Sequence, residues 1–348
     1  MTFANAVGVE VIVVGGGIMG MSIALELCAR GDRVTVLEKS VPGAEASSAA
    51  AGMLAPQLEA HGPGPVLDLG LQSRAIYPAW VRRIEELSKV DAGYRECGLE
   101  RFGPREHLEP VYKWQREAGL DVEYRGDHLF FPGEHQVEPP KLMRALAVAC
   151  ANAGASFRSA QVHGVGERFV DLGAERLQAD AVIVAAGSWS SLVAGAHVSA
   201  RVLQPVRGQL LELRMRLPPF KATRTDGTVY LVSRGDGRVV CGSTMERTGF
   251  DKRVTAAGIA SILSRAIALA PELASAELYS TWAGLRPWTE DELPIIGAGP
   301  TAGVWLATGH FRNGILLAPI TAKLISQAVH GDPPALDMSP FRFNRFPS

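Results

Sequence analysis

The chain has 348 residues, of which 35 are basic and 36 acidic, for a net charge of −1 with no block of like charge. That balance excludes nucleic-acid binding through a basic footprint, and the length suits two domains or one domain with a large insertion. The four cysteines (Cys28, Cys97, Cys150 and Cys241) are scattered without a CxxC pair, so reduced thiols are expected rather than a zinc site or a disulfide framework.

Met1 to Glu10 lacks a basic n-region and a cleavage pattern, so no signal peptide and a cytoplasmic location are expected. Val11 to Val14 is an unbroken β-branched run, the pattern of a strand buried on both faces. Three glycines break this longest apolar run, which is far too short to span a bilayer. Gly15, Gly17 and Gly20 give the GxGxxG spacing, Met21 to Arg30 reads as a helix, and Arg33 to Leu37 as a second strand ended by Glu38. The glycines permit a tight turn, a bare backbone beside a pyrophosphate and close helix–strand packing. The helix N-terminus offers N–H groups to phosphates. Glu38, eighteen residues after Gly20, is placed to accept from both ribose hydroxyls, and its charge disfavours a 2′-phosphate. A dinucleotide is therefore expected, with NAD and FAD both open at this point.

Ala46 to Pro56 is a run of small residues. It reads either as a helix packed tightly on a neighbour or as a segment lying flat against a large planar ligand. Leu67 to Leu87 is helical with an interruption at Pro78, and Glu100 to Pro140 is mixed, with a strand at Leu129-Phe130-Phe131, in what reads as a different domain. Lys141 to Ala153 is a helix closed by Gly154. Ala179 to Ala186 is a buried strand running into Gly187-Ser188-Trp189-Ser190, a turn able to return the chain to the ligand. Strands follow at Val206–Leu213 and Tyr230–Gly242, with a hairpin at Gly235-Asp236-Gly237. Thr255 to Leu269 is an amphipathic helix; from Thr281 the chain reads as Gly-punctuated turns, and Ile315 to Val329 as a final helix that tolerates Pro319 in its first turns.

Three late features point at one site. Gly309 to Gly314 is a loop feeding a helix N-terminus, which favours the negative charge of a reduced flavin more than a nicotinamide. Arg286 and Arg312 each stand among apolar residues, where a guanidinium needs an anionic partner. A substrate carboxylate gripped bidentately fits that need; so does an internal carboxylate, with Glu290, Asp291 and Glu292 nearest to Arg286. Tyr230 alternates on its strand and either fills the core or turns its hydroxyl to the pocket. The histidines show no metal-ligand spacing, so no metal is expected, and no GxSxG pattern occurs.

Together these segments resemble the D-amino-acid-oxidase-like FAD-dependent oxidoreductases, and within them the glycine oxidases. The resemblance is carried by Gly15 to Glu38, Ser47 to Leu54, Ala185 to Ser190, Pro205 to Gln209, Val240 to Thr244, Trp282 to Pro287 and Gly309 to Pro319, in the family's order over most of the chain. It implies an α/β fold: a Rossmann-like FAD-binding domain built from discontinuous segments (1–75, 136–205 and 283–348), with an α+β substrate domain, an inserted antiparallel sheet, from 76–135 and 206–282. It implies non-covalent FAD, since no cysteine lies in the late loop. By position, the cofactor contacts would be Gly15, Gly17, Ile18, Met19, Gly20, Glu38, Lys39, Ala46, Ser47, Ala51, Gly52, Met53, Val162 and Gly187, followed by His310, Phe311, Arg312, Asn313, Gly314, Ile315 and Leu316. Arg286 would hold the substrate carboxylate, assisted by Tyr230 and Arg312.

The activity so implied is oxidative deamination of glycine or another small amino acid. A hydride would leave the α-carbon for flavin N5, held at roughly 3–3.5 Å, with no side-chain base, and O2 would reoxidise the flavin to give hydrogen peroxide. The product would feed thiamine thiazole synthesis. The alternatives are an amino-acid dehydrogenase of the D-amino acid, sarcosine or proline type with another acceptor, and a non-catalytic flavin-binding subunit. A homo-oligomer without nucleic acid or membrane insertion is expected. Two departures from the family pattern stand out: Thr228 where some members carry histidine, and a short region between Leu99 and Pro139.

Overall fold

The computed structural model describes residues 8–217 and 219–346. The expectation about a leader at residues 1–10 therefore lies mostly outside the described residues. Among them, no helix is long and apolar enough to cross a membrane.

Glu10–Val14 forms the centre of a six-stranded sheet in the order Ile295–Ala298, Val304–Thr308, Ala181–Val184, Glu10–Val14, Arg33–Glu38 and Ser156–Ser159. All neighbours are parallel except the first pair. The β-branched run thus has a strand on each side and a layer on each face, which is why its last four residues are all buried. Val11 and Val13 pack with the helices Ile18–Ala29, Pro65–Ser88, Pro139–Asn152 and Gly314–His330. Ile12 and Val14 face the other way, onto a three-stranded antiparallel sheet of residues 164–178. Glu10–Val14 has the next strand, Arg33–Glu38, on one side and the much later Ala181–Val184 on the other, so the crevice beyond its carboxyl end is the switch point where such sheets bind ligands.

A second, eight-stranded sheet runs Glu277–Thr289, Leu203–Arg214, Arg238–Gly242, Tyr230–Ser233, Thr223–Thr225, Leu99–Phe102, His128–Phe131 and Glu123–Arg125. It is antiparallel except where Leu99–Phe102 pairs in parallel with Thr223–Thr225. The helix Ala256–Leu269, capped by Thr255, covers one face through Ile259, Ile262 and Ala266. The other face turns Leu210, Val232 and Val240 toward Ala51. The α/β fold with a second sheet expected from the sequence is therefore the fold observed.

Three readings need correction. Pro78 does not interrupt its helix: Pro65–Ser88 is continuous, because Leu69, Tyr77, Trp80, Val81 and Ile84 are buried along it and Ser73 and Tyr77 donate to the carbonyls of Leu316 and Ile315. The stretch after Thr281 is not a set of turns but most of a 13-residue strand, paired with Leu203–Arg214 from end to end. It lies at the sheet edge, where Pro287 is tolerated. The boundaries expected at 75/76 and 282/283 consequently fall inside continuous elements.

Candidate active site

A single cavity of about 1100 Å3 runs from the carboxyl ends of the parallel strands to the inner face of the eight-stranded sheet. At its first end, Gly15 has φ +108°, and a Cβ there would lie 2.6 Å from the Ala185 carbonyl. The turn is thus closed to any other residue. The Ile18–Ala29 helix begins at Gly17 with no side chain of its own capping it; Ser47 Oγ accepts from Ile18 N–H at 2.9 Å. The N–H groups of Gly17 and Met19 have no protein acceptor among the described residues, which leaves them for an anionic ligand. Glu38 lines the same end while accepting from the N–H groups of Gly16 and Ser40, both at 2.9 Å. Lys39 lies over the Trp189 ring, 4.1 Å from its centroid.

The small-residue run forms the middle of the wall, with Ala46, Ser47, Ala51, Gly52 and Met53 all lining the cavity. It is also tightly packed from behind. Trp282 Nε1 donates to the Ala49 carbonyl at 3.0 Å, and a Cβ on Gly284 would sit 2.7 Å from that of Ala49. The run is therefore packed on a neighbour from behind, as the first reading expects, and lines the cavity in front. Opposite, Val162, Gly187 and the loop from His310 to Ile315 complete the wall. The Gly314–His330 helix opens onto the cavity with no side-chain cap, so a second set of N–H groups and a positive dipole end face the ligand space. His310 is buried, and desolvation lowers its pKa to about 3; it is neutral and hydrogen-bonded through Nε2 to Thr321 Oγ1 at 3.1 Å.

Arg286 enters from the edge strand. Its Nη2 donates to Ser243 Oγ at 2.7 Å and its Nη1 to the Thr244 carbonyl at 3.2 Å. Shielded from bulk water but open to the cavity, it is held below the usual arginine range by desolvation, an effect that Tyr230 opposes. Burial in turn raises the Tyr230 phenol. None of the three nearby acids pairs with Arg286. Asp291 binds Arg345 at 2.6 Å, Glu292 accepts from Trp288 Nε1, and Glu290 is exposed. Its space exists because residue 208 is glycine: a Cβ there would lie 2.2 Å from both Nη atoms. Gly242 does the same for Tyr230, whose hydroxyl would lie 2.5 Å from a Cβ at 242.

Arg312, which also lines the cavity, follows the internal-carboxylate alternative. Its side chain is 49% exposed and paired with Glu59 at 2.5 Å, so an internal carboxylate supplies the anion its setting demands. Two of the expected contacts do not line the cavity. Gly20 packs against the Gly15 carbonyl, where a Cβ would be only 1.9 Å away, and Leu316 is buried between helices. Sequence reading missed Gly208 and Gly242 as site-makers, along with Glu59, Arg101 and Ser243; Glu59 and Arg101 belong to segments whose pairing only the fold reveals. None of the four cysteines lines the cavity.

Residues 10–328 match the model of the DAO family, described as FAD dependent oxidoreductase. The chain is 35% identical to glycine oxidase of Geobacillus kaustophilus, over 97% of each chain. The crystal structure of glycine oxidase from the same organism superposes with a TM-score of 0.93 at 34% identity, covering 98% of this chain and 99% of that one. A bifunctional ThiO/ThiG protein of Synechocystis is 38% identical over 92% of this chain but only 51% of its own length.

Proposed function

The chain belongs to the DAO family of FAD-dependent oxidoreductases, and from that premise we propose that it oxidises glycine or another small amino acid at the carboxylate-binding end of the cavity. With glycine the balanced reaction is glycine, O2 and water to glyoxylate, ammonia and hydrogen peroxide. The observation that carries the reading is Arg286, a water-shielded guanidinium that opens onto the cavity without a carboxylate partner among the described residues. Such a group favours an anion of matching fork geometry.

The residues fit FAD. Two helix N-termini free of their own side-chain caps face one cavity, and the wall between them is built of small residues. Gly15, Gly17, Met19 and Glu38 would hold the adenosine diphosphate, and Ala51 to Met53 with His310 to Ile315 the ring system, with no cysteine bond. Bound FAD supplies the two-electron acceptor for the substrate C–H bond. The protein's part is to fix the carboxylate on Arg286, beside Tyr230, so that the α-carbon is oriented rather than free. No side chain is offered as a base: His310 is committed to Thr321, and Glu59 to Arg312. A neutral substrate amine therefore supplies the electron push itself. The match to a ThiO/ThiG protein supports assigning the product to thiamine thiazole synthesis.

The test is an aerobic panel of glycine, sarcosine, D-alanine and D-proline with peroxide detection. Peroxide equal to the 2-oxo acid formed is expected. Anaerobic bleaching of the flavin without peroxide under air would point to another acceptor, and no bleaching by any amino acid would end the reading.

A further inference from the structure

We propose that Arg101 is a second anion-binding point in this cavity, so that the site favours amino acids carrying a further acidic group; the proposal rests on Arg286 holding the first carboxylate. Arg101 lies directly opposite Thr225, Thr225 opposite Tyr230, and Tyr230 opposite Gly242. Residues paired directly across a sheet share one face, and Arg101, Thr225 and Tyr230 all line the cavity.

The charges around this wall leave Arg101 over. Of the carboxylates lining the cavity, Glu38 accepts from Gly16 and Ser40, Glu45 pairs with Lys252, Glu59 with Arg312 and Glu246 with Arg207. Arg265 donates to the carbonyls of Ser261 and Thr228. The Arg101 guanidinium makes no hydrogen bond or ion pair among the described residues, its strand pairing being through the backbone alone, although burial depresses its pKa. A partly desolvated guanidinium without a counterion is costly, and a ligand anion offsets that cost.

The spacing sets the ligand class. The Arg286 guanidinium touches Ser243 and Thr244, at the end of Arg238–Gly242, and the strand bearing Arg101 lies three places further across the sheet. At roughly 4.8 Å per strand this is about 14 Å of backbone separation, part of which the Arg101 side chain spans. That distance suits two carboxylates a few bonds apart, not one carboxylate shared by both arginines.

Isothermal titration of the FAD-loaded enzyme with pentanoate and glutarate, which differ only in the far terminal group, tests this. Glutarate is expected to bind tighter by on the order of 10- to 100-fold. Arg101→Met should abolish that preference and leave pentanoate unchanged, while Arg101→Lys keeps part of it. Arg286→Met should weaken both acids. Equal binding of the two acids by the unaltered enzyme, or a preference that survives Arg101→Met, would overturn the proposal. If the preference falls in Arg101→Met while pentanoate ignores Arg286→Met, Arg101 stands and the Arg286 reading fails.

Discussion

Substituting Gly208 by alanine isolates the carboxylate anchor without touching it chemically. The new Cβ would lie 2.2 Å from both Nη atoms of Arg286 and 2.3 Å from Cζ. Ordinary van der Waals contact begins near 3.4 Å, so the guanidinium must retreat by about 1 Å. The backbone has little freedom to yield instead: Arg207 and Gln209 are paired with Leu285 and Ala283, and Gln209 N–H donates to Thr244 Oγ1 at 2.9 Å. The retreat breaks the bonds to Ser243 and Thr244 and tilts the fork away from the substrate. Losing one of two charge-assisted bonds costs about 1.5–3 kcal/mol, which is roughly a 10- to 150-fold rise in KM. The clash meets the mobile end of a side chain, so melting temperature and flavin content should change little. Steady-state peroxide production across glycine concentrations, with flavin absorbance and a thermal melt as controls, measures each part. An unchanged KM in a fully flavinated Gly208→Ala enzyme would refute the reasoning.

Other sites give further expectations. Gly20→Ala sets a Cβ 1.9 Å from the Gly15 carbonyl, backbone against backbone; a loss of about 1–3 kcal/mol of stability and release of flavin should show in a melt and in the flavin-to-protein absorbance ratio. Arg312→Ala removes a half-exposed cation whose partner is Glu59, so KM should rise less than about tenfold, far below the effect at Arg286. Glu134 is fully buried, and desolvation raises its pKa to about 8, against the pull of Arg74 at 3.6 Å. Its protonated form is therefore retained on folding, and its contribution to stability is full below about pH 4.5 and lost as pH rises through about 8. Relative to Glu134→Gln, the unaltered protein should lose on the order of 4 kcal/mol over that interval, read from denaturation at pH 5 and pH 8.5. A constant difference between the two proteins would contradict the assignment.

Much of this architecture is legible in the sequence because its signals are local. The strand, glycine turn and helix from Val11 to Ala29 announce themselves through β-branching, bare backbone and small residues, although the helix starts at Ile18, three residues before the Met21 expected. The strand Glu277–Thr289 hides because Gly284 and Pro287 mimic turn chemistry; what makes it a strand is register with Leu203–Arg214, including Gly208 opposite Gly284 and Pro205 opposite Pro287. Arg312 misleads for the opposite reason. Its sequence neighbours are apolar, yet its side chain turns outward to Glu59, more than 250 residues earlier. Arg101 is one arginine among many until parallel pairing with Thr223–Thr225 brings it to the cavity. Sequence patterns report an element's own face well, and they report poorly what a distant element places against it.

The most direct measurement is the Arg286→Ala enzyme assayed with glycine, using flavin content to establish that the cofactor cavity is intact. If Arg286 anchors the substrate carboxylate, KM rises by orders of magnitude for every amino acid tested while FAD remains bound. A flavinated Arg286→Ala enzyme with an unchanged KM would place the substrate elsewhere and contradict the account.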